Sequence, residues 1–178
     1  MNILFNFIQN TMDILIKNGF VVTQNRNREI IKGDVLIQEN FITAVGKEIK
    51  ENAEIVIDAK NKIVIPGLIN THTHVGMGLF RGMVEDVSLE TFLDKTFSLD
   101  AKRADEDIYL SSFLSMIEML RTGTTSFFDL YYSEDIIAKA AIDTGIRAFL
   151  AWVTLDKEFT TQKGDPLNNA ENFISNFM

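Results

Sequence analysis

Ile65-Pro66-Gly67-Leu68-Ile69-Asn70-Thr71-His72-Thr73-His74 is the stretch on which the reading of the chain turns. Pro66-Gly67 interrupts whatever precedes it. Leu68 to His72 then reads as a short strand. Alternate residues of a strand face the same way, so His72 and His74 present two imidazoles to one side. They are the only two histidines in the sequence. Two such rings can reach one cation at the roughly 2.0–2.1 Å of a Zn–N bond. A bare His-x-His is a weak signal and also describes two histidines near a turn. Its place at the end of a strand strengthens the metal reading, because barrel enzymes build their sites at the C-terminal ends of parallel strands.

Downstream, strands and helices alternate. Asp105–Arg121 reads as a helix with acidic residues in its first turn, Arg121 in its last and Gly123 just beyond. Leu110, Phe113, Leu114, Ile117 and Leu120 fall on one face, the expected core face. Thr124–Tyr131 reads as a buried strand, with Phe127 and Phe128 as core. Glu134–Thr144 reads as a helix between Ser133 as N-cap and Gly145 as stop. Arg147–Leu155 is a third strand. Asp165-Pro166 opens a last helix whose Leu167, Ala170, Ile174 and Phe177 share a face. No stop signal precedes Met178. A β-α-β-α-β-α order implies a parallel sheet with crossover helices.

Upstream the pattern changes to short strands and turns. Ile14–Lys17 and Phe20–Thr23 flank Asn18-Gly19, a tight-turn signal. Asp34–Gln38 and Phe41–Val45 flank Glu39-Asn40, where Asn can take the left-handed turn conformation. Glu54–Asp58 and Lys62–Ile65 flank another polar turn. Residues 12–66 are therefore expected to form a small antiparallel β-unit, marginal alone. Residues 1–11 carry no regular pattern and read as an upstream extension before a start at Met12.

Composition narrows the function. The chain is 46% hydrophobic, as expected for a globular protein. Its net charge of −8 argues against electrostatic binding to nucleic acid or an anionic membrane. With no cysteine there is neither disulfide nor thiolate ligand. No apolar run reaches the roughly 18 residues of a transmembrane helix, and the first residues lack the basic region of a signal peptide. A cytoplasmic protein acting on a small molecule is the expectation.

The run from Ile65 to His74, followed by Leu79-Phe80-Arg81-Gly82 and Glu85-Asp86, resembles the amidohydrolase superfamily. Within it the likeness is to methylthioadenosine/S-adenosylhomocysteine deaminases, including the 5′-deoxyadenosine deaminase type. It extends from about Met12 to Leu155 through Glu118-Met119, Gly123-Thr124-Thr125 and Gly145-Ile146-Arg147-Ala148. Dihydroorotase-like relatives usually carry Asp where this chain has Asn70, which disfavours that branch. The resemblance implies an α/β fold: residues 12–66 as part of a composite β-sandwich, and residues 67–178 as the first three βα units of a TIM-type (β/α)8 barrel, an incomplete barrel. It implies one divalent metal, usually zinc, with His72 and His74 as its first two ligands. The implied chemistry is hydrolytic release of ammonia from an adenosine-type nucleoside. The remaining ligands and the proton-shuttling glutamate have no counterpart in this chain.

Other positions stay open. Ser98-Leu99-Asp100-Ala101-Lys102 aligns with a family segment whose glutamate binds ribose hydroxyls, so Asp100 is a substrate-binding candidate, though one methylene shorter. It equally suits an acidic residue beside a helix start. Trp152 stands where some relatives place a substrate-contacting arginine, and is otherwise a core residue. Asp129 reads as a hydrogen-bond acceptor behind a metal ligand, or as a structural group. Arg81 and Glu85-Asp86 read as a lid or a solvated loop. Alternatives to the nucleoside deaminase are a guanine deaminase or chlorohydrolase type, a non-catalytic remnant, and one half of a split enzyme. A homo-oligomer, or a missing C-terminal half as partner, fits the same reading.

Overall fold

A computed structural model describes residues 12–177. The extension expected over residues 1–11 lies outside the described residues. The chain divides into two compact units between Pro66 and Gly67.

In residues 12–66, five strands form one sheet: β1 (Ile14–Val22), β2 (Ile30–Gln38), β3 (Phe41–Gly46), β4 (Ile55–Asp58) and β5 (Ile63–Val64). β2 pairs antiparallel with β1 and β3, whereas β4 and β5 run parallel to β1. The sheet is mixed, which corrects the antiparallel expectation. The chain after β3 returns to the start of β1, where Ile55 N–H donates to the Asp13 carbonyl at 3.0 Å.

Asn18-Gly19 does not reverse the chain either. β1 runs through it, and the pairing with β2 shifts between Ile16 and Gly19. Asn18 takes φ 65° there, so the two residues form a bulge instead of a hairpin. The partner strand explains why. Asp34, 2% exposed, accepts Asn18 N–H at 2.9 Å and Ile49 N–H at 3.0 Å. In the β2–β3 turn the left-handed residue is Glu39, at φ 53°, and not Asn40.

Residues 67–177 form an α/β unit. Strands β6 (Leu68–Thr73), β7 (Thr124–Tyr131) and β8 (Arg147–Trp152) are parallel, in the order β6-β7-β8. A 3-10 turn, Val75–Phe80, follows β6. The helices are α1 (Leu89–Asp100), α2 (Asp105–Arg121), α3 (Glu134–Thr144) and α4 (Pro166–Phe177). Ser88 caps α1 by accepting Thr91 N–H, and Asp165 accepts Asn168 N–H at the start of α4. Gly145 ends α3 at φ 72°, a conformation glycine adopts without strain.

Val75, Met116, Phe127, Ile137 and Ala140 lie at the centre of the core, each at most 2% exposed. The buried face of α2 is Ile108, Ser111, Ser112 and Met116, rotated from the expected stripe. Leu110 and Leu114 remain 52% and 51% exposed. The reason is steric. Ser111 and Ser115 face the 3-10 turn, and both hydroxyls donate to the Val75 carbonyl. Backbone can approach that closely only over small side chains. On β7, Phe127 is buried but Phe128, on the opposite face, is 45% exposed, as the two-residue period requires. Phe128 and Leu114 are thus corrected from the expected core.

Gly78 sits in this contact. A Cβ on it would collide with Ser115 Oγ and lie 3.2 Å from Ser111 Oγ. Gly78→Ala should therefore displace the two hydroxyls that hold the turn. We expect a loss of about 1–3 kcal/mol, read as a lower urea midpoint at unchanged slope.

Candidate functional site

The i, i+2 spacing of His72 and His74 brings the two rings together at the C-terminal end of β6. Their centroids are 4.9 Å apart and the planes nearly perpendicular. His74 Nδ1 lies 2.6 Å from the Leu130 carbonyl oxygen. A carbonyl can only accept, so Nδ1 carries the hydrogen, and in the neutral imidazole the lone pair is then on Nε2. This is the arrangement in which an outer partner fixes the tautomer and aim of a ligating imidazole. Asn70, two residues before His72, accepts the His72 N–H through its side chain at 3.2 Å.

Side chains hold four backbone groups of the turn after His74. Val75 N–H donates to Asp129 Oδ1 at 2.8 Å. The Val75 carbonyl takes the Ser111 and Ser115 hydroxyls. The Gly76 carbonyl accepts from Arg103, and Leu79 N–H donates to Ser111 Oγ at 3.0 Å. Arg81 then forms a two-point ion pair with Glu118 of α2, at 2.9 and 2.6 Å. Both partners are substantially exposed, so the pair is a surface tie and adds little stability.

Asp100 closes α1 and is 6% exposed. Its Oδ1 accepts from Arg103 and, at 2.9 Å, from Tyr131 OH. Its Oδ2 accepts from Thr161 Oγ1 at 2.9 Å. The Arg103 guanidinium lies against the Phe80 and Tyr131 rings. Tyr131 connects this cluster to the histidines, its ring centroid 5.9 Å from that of His74. Burial and the Asp100 charge push the Tyr131 hydroxyl well above the usual phenol range, so it stays a neutral donor. A cavity of about 200 Å³ beside Asp100 is bordered by Trp152, Tyr132, Gln162 and Lys163. Trp152, at the end of β8, packs on Phe173 at 5.6 Å, and its Nε1–H donates to Gln162 Oε1 at 3.0 Å.

Asp129 and Glu134 are fully buried. Glu134 Oε1 accepts Tyr131 N–H at 2.8 Å. Asp129 Oδ2 and Glu134 Oε2 are both buried without a hydrogen-bond partner. Burial raises both carboxyls above the usual range, and the Asp129 charge raises Glu134 further. Glu134 has no visible signature in the sequence: an acid in the first turn of a helix ordinarily sits in solvent, complementing the helix dipole. Ser133, read as an N-cap, makes no side-chain cap bond and turns left-handed at φ 58°. Arg103 and Thr161 also gave no periodic or motif signal.

Among the described residues, no group of three or more His, Asp or Glu is placed to hold a metal ion. The site therefore offers two imidazoles, one of them oriented by a carbonyl, which suits part of a zinc ligand set and not a whole one.

Residues 63–177 match the amidohydrolase family. The chain is 44% identical to a 5-methylthioadenosine/S-adenosylhomocysteine deaminase of Thermococcus onnurineus, over 82% of this chain and 34% of that protein. It is 46% identical to a 5′-deoxyadenosine deaminase of Methanocaldococcus jannaschii, over 91% of this chain and 38% of that protein. The chain thus spans about a third of the length of these relatives. Among solved structures, an atrazine chlorohydrolase from Arthrobacter aurescens TC1 complexed with zinc matches with TM-score 0.77 and 25% identity, over 92% of this chain and 42% of that one. An adenosine deaminase from Xanthomonas campestris with bound zinc shares the fold, with TM-score 0.80 over 93% of this chain and 39% of that one.

The Asp100–Arg103 pair is buried on both sides. Removing one partner strands the other charge. Arg103→Met should cost about 3–5 kcal/mol, and Asp100→Asn in the same chain should restore much of it. Urea melts of the two singles and the double measure the coupling.

Proposed function

The chain belongs to the amidohydrolase family, and from that premise we propose that it supplies the first part of the active site of a metal-dependent deaminase acting on adenosine-type nucleosides. Residues 67–177 would be the first three units of a (β/α)8 barrel, and residues 12–66 part of a β-sandwich. The observation that carries the reading is His74: its Nδ1–H is committed to the Leu130 carbonyl, which leaves Nε2 free beside the His72 ring. Zinc is the metal that this donor set suits best, with His72 and His74 as two of its ligands. When bound, it would supply a water activated near neutral pH for the displacement of ammonia. The other ligands and the proton-transferring group come from outside these residues, from more of the same protein or from a second chain.

The chain's own groups do the positioning. Leu130 aims His74, and Tyr131 with Arg103 holds the turn beside it. Trp152 borders the cavity beside Asp100, where an aromatic side chain can pack on a base. Asp100 is proposed as the sugar contact. The hydroxyl of Thr161 now occupies Oδ2, and a ribose hydroxyl can replace it like for like. A chlorohydrolase or guanine deaminase type is the second reading, favoured by the likeness to the atrazine chlorohydrolase. Such substrates carry no sugar, so Asp100 discriminates between the two. Among the described residues no helix is long and apolar enough to cross a membrane, and a cytoplasmic location is part of the proposal.

Two experiments test it. The 178-residue chain purified alone should hold zinc well below one equivalent and release no ammonia from adenosine, 5′-deoxyadenosine or methylthioadenosine above a metal-only blank. Stoichiometric zinc with turnover would overturn the view that further ligands are needed, and activity restored by a separate C-terminal half would identify a split enzyme. In the active protein, Asp100→Asn should raise KM for nucleosides by about tenfold or more, the size of one hydrogen bond to a charged group. KM for the free base should hardly move. Equal changes for both would remove Asp100 from sugar binding.

A further inference from the structure

We propose that Asp129 and Glu134 share a single proton and, through it, close a ring of hydrogen bonds that sets the orientation of His74. The two residues are positioning residues: among the described residues neither joins the histidines in a group that could hold a metal ion. The inference deepens the metal-site reading and rests on that reading for its purpose, but its geometry stands apart from any metal.

The argument follows peptide units. Asp129 Oδ1 accepts the N–H of Val75, which belongs to the peptide unit that begins at the His74 carbonyl carbon. Glu134 Oε1 accepts the N–H of Tyr131. That N–H and the Leu130 carbonyl are two ends of one peptide plane, and the carbonyl end accepts His74 Nδ1–H. So Asp129 grips the backbone leaving His74, while Glu134 grips the plane on which the His74 ring hangs. One link is missing, between Asp129 Oδ2 and Glu134 Oε2. Both atoms are buried, and neither has a partner.

Both carboxyls are fully buried and near enough that the Asp129 charge raises Glu134; ionised together they would repel each other without the solvation or cation that would offset their charge. Arg103, the buried cation nearby, is engaged by Asp100 and the Gly76 carbonyl. One proton held between Oδ2 and Oε2 satisfies both orphan atoms with a single bond and leaves a single buried charge. The ring then runs without a gap: His74 backbone, Val75 N–H, Asp129, the shared proton, Glu134, the Leu130–Tyr131 peptide, and back to the His74 ring. The left-handed Ser133 provides the chain reversal that lets Glu134 point back at Tyr131.

The test is a small amide series on the 178-residue chain, read at the histidines. Only His72 and His74 contribute imidazole signals, so one His72→Gln spectrum assigns both. In metal-free protein, at a pH where the imidazole is neutral, the nitrogen shifts of His74 should report hydrogen on Nδ1 and a bare Nε2. Glu134→Gln keeps one acceptor for Tyr131 N–H and one N–H donor toward Asp129, so the His74 signature should be preserved. Asp129→Asn should preserve it too, with the donor now on the other side. The double variant sets two amide NH2 groups face to face, so it should lose the single-tautomer signature, and its melting temperature should fall by more than the two single shifts combined.

Infrared spectroscopy checks the proton without any need for the double variant to fold. Wild type should show the carbonyl band of a protonated carboxylic acid at neutral pH, and Glu134→Gln should lack it. No such band, or additive single and double shifts with an unchanged His74 signature, overturns the proposal. Zinc added to the same samples reports separately on Nε2. An intact Nδ1–H signature with no response to zinc leaves the hydrogen-bond ring standing and removes only the metal-site reading.

Discussion

The hydrogen bond from His74 to the Leu130 carbonyl is the contact that joins sequence motif to fold. It ties the end of β6 to the end of β7 and decides which imidazole nitrogen is free. A bond of this kind adds only about 1 kcal/mol to stability. Its weight lies in direction. A histidine ring hung from a backbone carbonyl cannot rotate without breaking the bond, so the lone pair points one way before any ligand arrives. The close packing of the 3-10 turn on α2 serves that same bond, because a shift of the turn would carry His74 off the carbonyl.

The interior around this point is unusually polar. Asp100, Asp129, Glu134, Ser111, Ser112 and Ser126 are all buried in residues 67–177. An apolar core of equal volume would be cheaper to bury, since every one of these groups gives up water. What polar groups add is a defined geometry, because each accepts only certain partners. Met116, Phe127 and Ile137 supply the apolar bulk, and the polar groups decide how the site end of the sheet is shaped.

Much of this was legible in the chain. The boundaries of α2, β7 and α3 follow from capping acids, glycine stops and apolar runs, and the strand that presents His72 and His74 follows from Pro66-Gly67. These signals are local, so the sequence carries them openly. The errors lie where a distant partner decides. Asn18-Gly19 is a bulge because Asp34, across the sheet, takes the Asn18 amide. α2 buries its serines because the Val75–Phe80 turn lies close against it. Glu134 is buried where the Tyr131 N–H meets its carboxylate beside Asp129, and nothing in a helix-start acid announces that. Asp100 was legible by its likeness to a known segment, but its saturation by Arg103, Tyr131 and Thr161 was not, since those donors come from separate stretches of chain.

The pairing of the parallel strands also orders events in time. β7 and β8 meet across a short crossover through α3, with Ser126 opposite Arg147. β6 must close a far longer loop to reach the same β7, with Leu68 opposite Thr124. Short loops close with less entropy lost, and contacts distant in sequence slow folding. During synthesis β6 leaves the ribosome first yet has no strand to pair with until β7 emerges. Until then its backbone N–H and C=O groups have no strand to pair with, a period of vulnerability to aggregation. The strand that leads to the two imidazoles is therefore the one that waits longest for its partner, across a far longer stretch of chain than separates β7 from β8.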